Sequence, residues 1–493
     1  MNLADLLTDR AKRAPDSPAA IHDDGTISAA QLERAAWTVA ARLREQGLKP
    51  GDAVGLLVGD PLLHLVAIFA LARYGVVHLP VQPHMSAETN DSLLRRIGAV
   101  AVVTEFEGVA SSSWRMIVLD PRLPFEAEGG PDPGLRHDRA DWPFSFKTSS
   151  GTTAAAKLIG ASHAGAVAAM ARVQAGRGHL EGEKFFSAVG MHSDGPRRRY
   201  MTCVVAGGIA VLRSRPPGAS PLIEMIDRLD IRHFGCLPNH ARELLNQVPS
   251  DGPRFPRMRC LRLSAAPSDD HLRELVRRRL CGNLVVSYGC SELGPISSAE
   301  PERAARSPGT VGYALPGIAI EIVDEAGKPL PAGAVGNVRV RAAGMPAGYH
   351  DDPAATQRHF RDGWFHPGDL GALAADGELR LLGRADDVMI YDGLKIAPFE
   401  IESVLMRHPA VREAAAFPLR SPRSFQLPAA AVVVAAEVPL QELLDFAHAR
   451  LKSRSPQIIL VLRQMPRNAA GKILKRELAE FAENDLRRHG RLV

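Results

Sequence analysis

Apolar and polar positions change rhythm twice along the chain. Through the first two thirds, short apolar runs alternate with stretches of helical spacing. Ala53 to Val58 is followed by Leu62 to Tyr74 at helical period and then by Val76 to Leu79. Further strand-like runs stand at Ala99 to Thr104, Ile209 to Leu212, Arg232 to Leu237 and Leu284 to Tyr288. This alternation predicts parallel sheets covered by helices, with ligands held where loops leave the carboxyl ends of strands. From about Val311 short strands with Gly/Pro turns take over, at Ala319 to Val323, Gly336 to Arg341 and Leu379 to Leu382, and predict a β-rich subdomain. A compact last unit starts near Asp387, with helices over about Pro398 to Met406 and Leu440 to Lys452 and strands near Ala414 and Ala431. The expected fold class is α/β: a large N-terminal domain of parallel sheets covered by helices plus the β-rich subdomain, then a small α+β C-terminal domain.

Length agrees with this division, because 493 residues exceed one ordinary core. Hydrophobic content of 45% with 23% charged residues is that of a soluble globular protein. Five cysteines (Cys203, Cys236, Cys260, Cys281 and Cys290) form no C-x-x-C pair, which argues for free thiols in a reducing compartment. The opening residues carry Asp5 and Asp9 and lack the basic-then-apolar order of a secretory signal. Leu62 to Leu79, the most apolar stretch, contains His64, Arg73 and His78 and falls short of the roughly 18 uninterrupted apolar residues of a membrane span. A cytoplasmic protein without a membrane span is expected. The net charge of +5 is mild. Arg197-Arg198-Arg199, Arg277-Arg278-Arg279 and Arg487-Arg488 carry no interleaved aromatics and are expected on solvated helix faces, with no nucleic-acid partner.

Against this background one stretch carries unusual chemistry. Thr148-Ser149-Ser150-Gly151-Thr152-Thr153 packs five hydroxyls and a glycine into six residues, and Lys157 follows. Hydroxyls and freed backbone N–H groups suit the oxygens of a polyphosphate, glycine permits close approach, and the lysine adds a point charge. Ala156 stands where a Walker A loop needs its second glycine. Taken by itself, such a stretch also fits a Ser/Thr-rich linker. Glu292 follows Tyr288-Gly289 closely after a buried strand and is the best candidate metal ligand, since magnesium is held by one or two carboxylates plus phosphate oxygens.

Four further motifs stand downstream in order: Tyr288-Gly289-Cys290-Ser291-Glu292, Gly363-Trp364-Phe365-His366-Pro367-Gly368-Asp369, Gly383-Arg384-Ala385-Asp386-Asp387 and Pro466-Arg467-Asn468-Ala469-Ala470-Gly471-Lys472. With the hydroxyl-rich stretch, this set resembles the adenylate-forming superfamily of acyl- and aryl-CoA synthetases, peptide-synthetase adenylation domains and luciferase. The resemblance implies an N-terminal adenylation domain over 1–385 and a mobile C-terminal domain over 386–493, hinged at Asp386. It implies that Thr148, Ser149, Ser150, Gly151, Thr152, Thr153 and Lys157 hold phosphates. Ser264 to Pro267, with Ala265, Ala266 and Pro267, would form the adenine wall, and Tyr288 with Gly289 would pack on the adenine. Ser291 would contact the α-phosphate and Glu292 would hold Mg2+. Asp369 would accept from both ribose hydroxyls, and Arg384 would contact ribose and phosphate. Lys472 would bridge carboxylate and phosphate during adenylation, and Gly393, with Lys395 to Pro398, would face the pantetheine thiol. His192 and Gly294 would line the acyl pocket.

The implied activity is ATP-dependent conversion of a small carboxylic acid to an acyl-adenylate, then to a thioester with CoA. The acceptor could instead be phosphopantetheine on a separate carrier protein, and a non-catalytic nucleotide-binding homologue is the third reading. Ala154, Ala156 and Leu158 depart from the glycine, proline and glycine of the usual loop, which predicts a stiffer tip and a raised KM for ATP. The stretch Met191 to Tyr200 is polar for an acyl pocket. Either the substrate bears polar groups or the arginines point to solvent, and solvent is the expected outcome.

Overall fold

The computed structural model describes all residues except 24, 83–84, 107–112, 123–124, 126–131, 149–155, 177–180, 215–217, 250, 265, 267, 308, 421–425, 468–472 and 489–493. Two large sheets organise residues up to about 384. The first has six strands in the order Met116–Val118, Ala99–Thr104, Ala53–Leu57, Val77–Pro80, Pro143–Thr148, Leu158–Ser162. All pairs are parallel except the last, in which Leu158–Ser162 runs back against Pro143–Thr148. The hydroxyl-rich loop therefore leaves the carboxyl end of a strand in a parallel sheet, as the apolar rhythm predicts.

The second sheet has 15 strands. Its parallel part runs from Pro18–His22 through Ile209–Val211, Lys184–Ser187, Ile231–Cys236 and Cys260–Leu263 to Leu284–Cys290. The chain then reverses into Gly294–Ala299, and from there the sheet is antiparallel. The strands expected after Val311 are this antiparallel extension, continuous with the parallel part through the pairing of Gly294–Ala299 with Thr310–Ala314.

The apolar run from Leu62 is the helix Pro61–Tyr74, buried at every position. Asp60 caps it by accepting from the Leu63 N–H at 2.8 Å, Pro61 occupies its first turn, and Gly75 ends it at φ +76°. Its one arginine, Arg73, is 1% exposed and is paid for locally: Glu33 accepts from Nη2 at 2.7 Å, and Arg73 lies over the Trp37 ring at 4.0 Å. Among the described residues no helix is long and apolar enough to cross a membrane. One buried cluster draws residues from both sheets, including Val54, Ala101, Phe144, Phe185 and Ala210.

Residues from Met389 onward have cores of their own. A three-stranded sheet (Val411–Arg420, Gln426–Val434, Ile458–Leu462) is packed by the helices Pro398–Leu405 and Leu440–Leu451 around Met389, Ile396, Leu443 and Ala447. A second cluster includes Phe417 and Leu419 together with Leu478 and Ala482 of the last helix, Lys475–Arg488.

Candidate active site

The turn joining Leu284–Cys290 to Gly294–Ala299 sits where the second sheet changes from parallel to antiparallel. Two glycines let it close. A Cβ on Gly289 would lie 2.5 Å from the Gly294 carbonyl oxygen, and one on Gly294, at φ +76°, would lie 2.9 Å from the Arg198 guanidinium. Tyr288, half-buried at the start of this turn, donates its hydroxyl to Asp369 Oδ2 at 2.5 Å. Asp369 opens the strand Asp369–Leu373 directly across from Arg384 at the end of Leu379–Arg384. That register puts Arg384 Nη1 3.1 Å from Asp369 Oδ1, and Nη1 also donates to the Pro367 carbonyl at 2.6 Å. Burial and the adjacent Asp369 carboxylate push the Tyr288 phenol well above its usual range. Burial opposes the Arg384 charge, but the same carboxylate outweighs it and raises the guanidinium. Tyr288, Asp369 and Arg384, drawn from three distant motifs, thus form one hydrogen-bonded unit with a carboxylate held between a phenol and a cation.

A second unit forms around Tyr349. Its hydroxyl donates to Glu292 Oε1 at 2.8 Å, and the Lys157 ammonium lies 4.9 Å from its ring centroid. Lys157 Nζ stands 3.0 Å from His359 Nε2. His359 Nδ1 donates to the His366 carbonyl at 2.8 Å, which leaves Nε2 as the acceptor for the lysine. Burial, reinforced by Lys157, lowers the His359 pKa and keeps the ring neutral. The candidate metal ligand and the candidate phosphate-loop cation therefore share one tyrosine. Neither Tyr349 nor His359 belongs to a motif. The one local sign is that Tyr349 precedes His350, whose N–H bonds the Leu158 carbonyl at 2.8 Å and ties this segment to the strand after the loop. Among the described residues no three His, Cys, Asp or Glu side chains gather as metal ligands. A magnesium ion at Glu292 would take its other oxygens from phosphate and water, a donor set that suits this ion.

The helix that follows His192 overturns one expectation. Arg197 and Arg198 are buried, at 3% and 7% exposure, and do not face solvent. They lie on the helix Asp194–Val205, whose first residue reaches both at i+3 and i+4. Asp194 Oδ1 accepts from Arg197 at 3.3 Å, Oδ2 meets Arg198, and Oδ2 lies 3.6 Å from Lys147 Nζ. Although burial alone would raise the Asp194 carboxyl, these cations hold it well below the usual carboxylate range. Burial pulls Lys147 down to about 8, against the opposing pull of Asp194. Arg197 also donates to the His192 carbonyl at 3.2 Å, and Gln82 Nε2 donates to the same oxygen at 3.2 Å. Arg197 thus holds the His192 backbone and Arg198 lies against Gly294, with Asp194 paired to both arginines.

Thr148 ends its strand, half-buried. Ser149, Ser150, Gly151, Thr152, Thr153, Ala265, Pro267 and Lys472 lie outside the described residues, while Ala266 and Ser291 are half-buried. Asp386 sits in the 3-10 turn Ala385–Asp387 with its side chain 91% exposed. Gly393, at φ +75°, follows Asp392 at φ +49° in the hairpin joining Met389–Tyr391 and Leu394–Ile396, two left-handed residues in a row as a tight hairpin demands.

The chain is similar to known proteins over nearly its whole length. Residues 7–350 match the AMP-binding enzyme family, and residues 400–472 match the AMP-binding enzyme C-terminal domain. The 2-succinylbenzoate–CoA ligase of Bacillus licheniformis is 27% identical over 97% of this chain and 100% of its own. The fatty acid–[acyl-carrier-protein] ligase ScoC of Streptomyces coeruleorubidus is 26% identical over 95% of this chain and 94% of its own. The O-succinylbenzoate coenzyme A synthetase MenE of Bacillus subtilis, solved in complex with ATP and magnesium ion, superposes with a TM-score of 0.85 at 25% identity, covering 96% of this chain and 98% of that one. The chain belongs to the adenylate-forming superfamily of AMP-binding enzymes.

Proposed function

We propose that this protein activates a carboxylic acid with ATP and transfers the acyl group to the thiol of CoA. The observation that carries the reading is the Tyr288–Asp369–Arg384 unit, beside a Glu292 and a Lys157 that converge on Tyr349. Asp369 is fixed from one side by Tyr288 and from the other by Arg384, a placement suited to receiving both ribose hydroxyls. Lys157 and the hydroxyl-rich loop neutralise phosphate oxygens. Magnesium, held at Glu292, would supply further charge neutralisation on the phosphates. One carboxylate oxygen of the acid attacks the α-phosphorus while its bond to pyrophosphate breaks. Little covalent help is needed, so positioning and charge stabilisation by these side chains supply the rate. The thiol then forms the C–S bond, AMP leaves with the shared oxygen, and the thiol proton goes to solvent.

In this reading residues 1–385 form the adenylation domain and 386–493 a mobile domain. Lys472 serves the first half-reaction, and the Gly393 hairpin serves the second after rotation about Asp386. The separate cores beyond Met389 support independent movement. Phosphopantetheine on a carrier protein is the alternative acceptor, a reading favoured by the similarity to a carrier-protein ligase over nearly the whole chain.

Pyrophosphate release from Mg-ATP across aryl, short-chain and long-chain acids, with CoA present or omitted, tests the proposal. Release that depends on an acid and turns over with CoA is expected. Acid-dependent release confined to about one equivalent per enzyme would transfer the second step to a carrier protein. No release with any acid, in a protein that still binds ATP, would overturn the enzymatic reading and make Ala154, Ala156 and Leu158 decisive.

A further inference from the structure

The cations around Asp194 outnumber it. Lys147, Arg197 and Arg198 are 11%, 3% and 8% exposed at their side chains, and Asp194 is the carboxylate that all three share. Three positive charges less one leave an excess of two in a place water reaches poorly. Arg197 spends part of its fork on the Met191 and His192 carbonyls. Arg198 and Lys147 have no such outlet: among the described residues, their side chains meet Asp194 as their one oxygen partner. Nearby Arg172 adds a fourth cation, but the Leu293 and Pro295 carbonyls take up its donors. Buried cations without counter-charge are costly, and a fold that keeps them holds them for an anion.

Position says which anion. Lys147 immediately precedes Thr148, the first residue of the hydroxyl-rich stretch. Arg198 lies against Gly294, two residues beyond Glu292. Arg197 carries the backbone of His192. In the functional reading above His192 and Gly294 face the acid, and their contacts with Arg197 and Arg198 set the cluster on that side of the site. A monocarboxylic acid spends its one charge at the α-phosphorus, so it has nothing left to give these donors.

We infer that the acid substrate carries a second carboxylate, and that Lys147 and Arg198, held in place by Asp194 and Arg197, receive it. The inference rests on the adenylating function proposed above. Lys147 supplies a point charge and Arg198 a planar fork, a pairing suited to a carboxylate and wasted on an alkyl or aryl terminus. Asp194 prevents the cations from repelling one another when the pocket is empty, and its position between them aims both heads at the same space.

The experiment compares the intact enzyme on matched pairs of acids: α,ω-dicarboxylates of three to eight carbons, each against the monocarboxylate of equal length and against the monoamide of the same diacid. The readout is kcat/KM for pyrophosphate release at saturating Mg-ATP. At least one diacid is expected to exceed its monocarboxylate and its monoamide by roughly ten- to a hundredfold, the loss that follows when charge-assisted hydrogen bonds go unmade. In Arg198→Gln and Lys147→Met the diacid-to-monoacid ratio is expected to collapse through KM for the diacid. Because the wild-type comparison needs no variant, misfolding of either substitution leaves the question decided. A monocarboxylate that matches or beats every diacid would overturn the inference while leaving the adenylating function intact. The same holds if both substitutions depress diacid and monoacid alike, since the cations would then serve the reacting carboxylate or the phosphates. Absence of release with every acid, mono or di, would remove the functional reading and this inference with it.

Discussion

At the scale of single residues, the site depends on side chains that hold other side chains. Lys157 keeps its place through a neutral imidazole acceptor, His359, whose other nitrogen is committed to the His366 carbonyl. His359→Ala removes one charge-assisted bond and should raise the KM for ATP about tenfold, at the lower end of a cost of about 1.5–3 kcal/mol. The pH dependence has a definite sign. Burial places the His359 pKa below the ordinary 6.5, so the ring is neutral at pH 7 and stays so until the pH falls through that lowered value. Protonation then sets two cations against each other, and wild-type KM for ATP should rise on the acid side while the Ala variant loses that added dependence. Steady-state kinetics between pH 5 and 8 checks both outcomes. The residues at this scale divide by how they announce themselves. Glu292, Asp369 and Arg384 stand in motifs and were legible; Tyr349 and His359 act through contacts made only when distant segments meet. Arg197 and Arg198 were misread because arginine is usually a surface residue. Asp194 at i−3 and i−4 was the visible sign that these two had a local partner.

At the scale of elements, the alternation of apolar runs with helical spacing placed the strands well, because a buried parallel strand and an amphipathic helix leave different periods. The extent of the second sheet was not legible. Pairing of Gly294–Ala299 with Thr310–Ala314 joins its parallel and antiparallel parts, and no local pattern reveals which edges meet. The turn between Tyr288 and Gly294 is the element on which the Tyr288–Asp369–Arg384 unit is built, and its tolerance is narrow. Gly289→Ala would place a methyl 2.5 Å from a backbone oxygen that cannot swing aside. The turn must open, at a cost of about 1–3 kcal/mol as in other overpacked sites. Tyr288 would move off Asp369, and ATP binding followed by calorimetry should weaken along with the urea midpoint. An unchanged affinity would show that the Tyr288–Asp369 bond does not set nucleotide binding.

At the scale of the whole molecule, the N-terminal core contains imidazoles that must stay neutral. His64 and His163 are 2% and 0% exposed, and burial lowers each to about 4. Each has one bonded ring nitrogen, to the Val58 carbonyl and from the Leu3 N–H respectively, and an Nε2 without a partner among the described residues. Their folded pKa lies below the unfolded 6.5, so the unfolded chain takes up protons first. Stability is complete above about 6.5 and falls as the pH drops toward 4, by up to roughly 3 kcal/mol for each histidine. Urea midpoints should hold steady from pH 8 to 7 and decline below 6.5; a flat profile to pH 5 would contradict the neutral, buried state of these rings. Length and the change of rhythm near Asp387 were the signs in the sequence of a further unit, and residues from Met389 onward pack clusters of their own. How the two units are tied was not: Lys395 pairs with Glu325 across them, and both side chains are largely exposed, an ion pair of small energetic weight.

The charge cluster at Asp194 also constrains how this part of the fold can change over evolutionary time. Replacing Asp194 alone would leave three neighbouring cations without their common partner, and replacing Arg198 alone would leave a carboxylate and a lysine to rearrange. Each single step passes through a less stable protein, whereas exchange of several members together for apolar residues of similar volume need not. Lineages descending from this chain should therefore keep the cluster whole or lose it in one concerted set, and variants with one member missing should be rare among functional sequences.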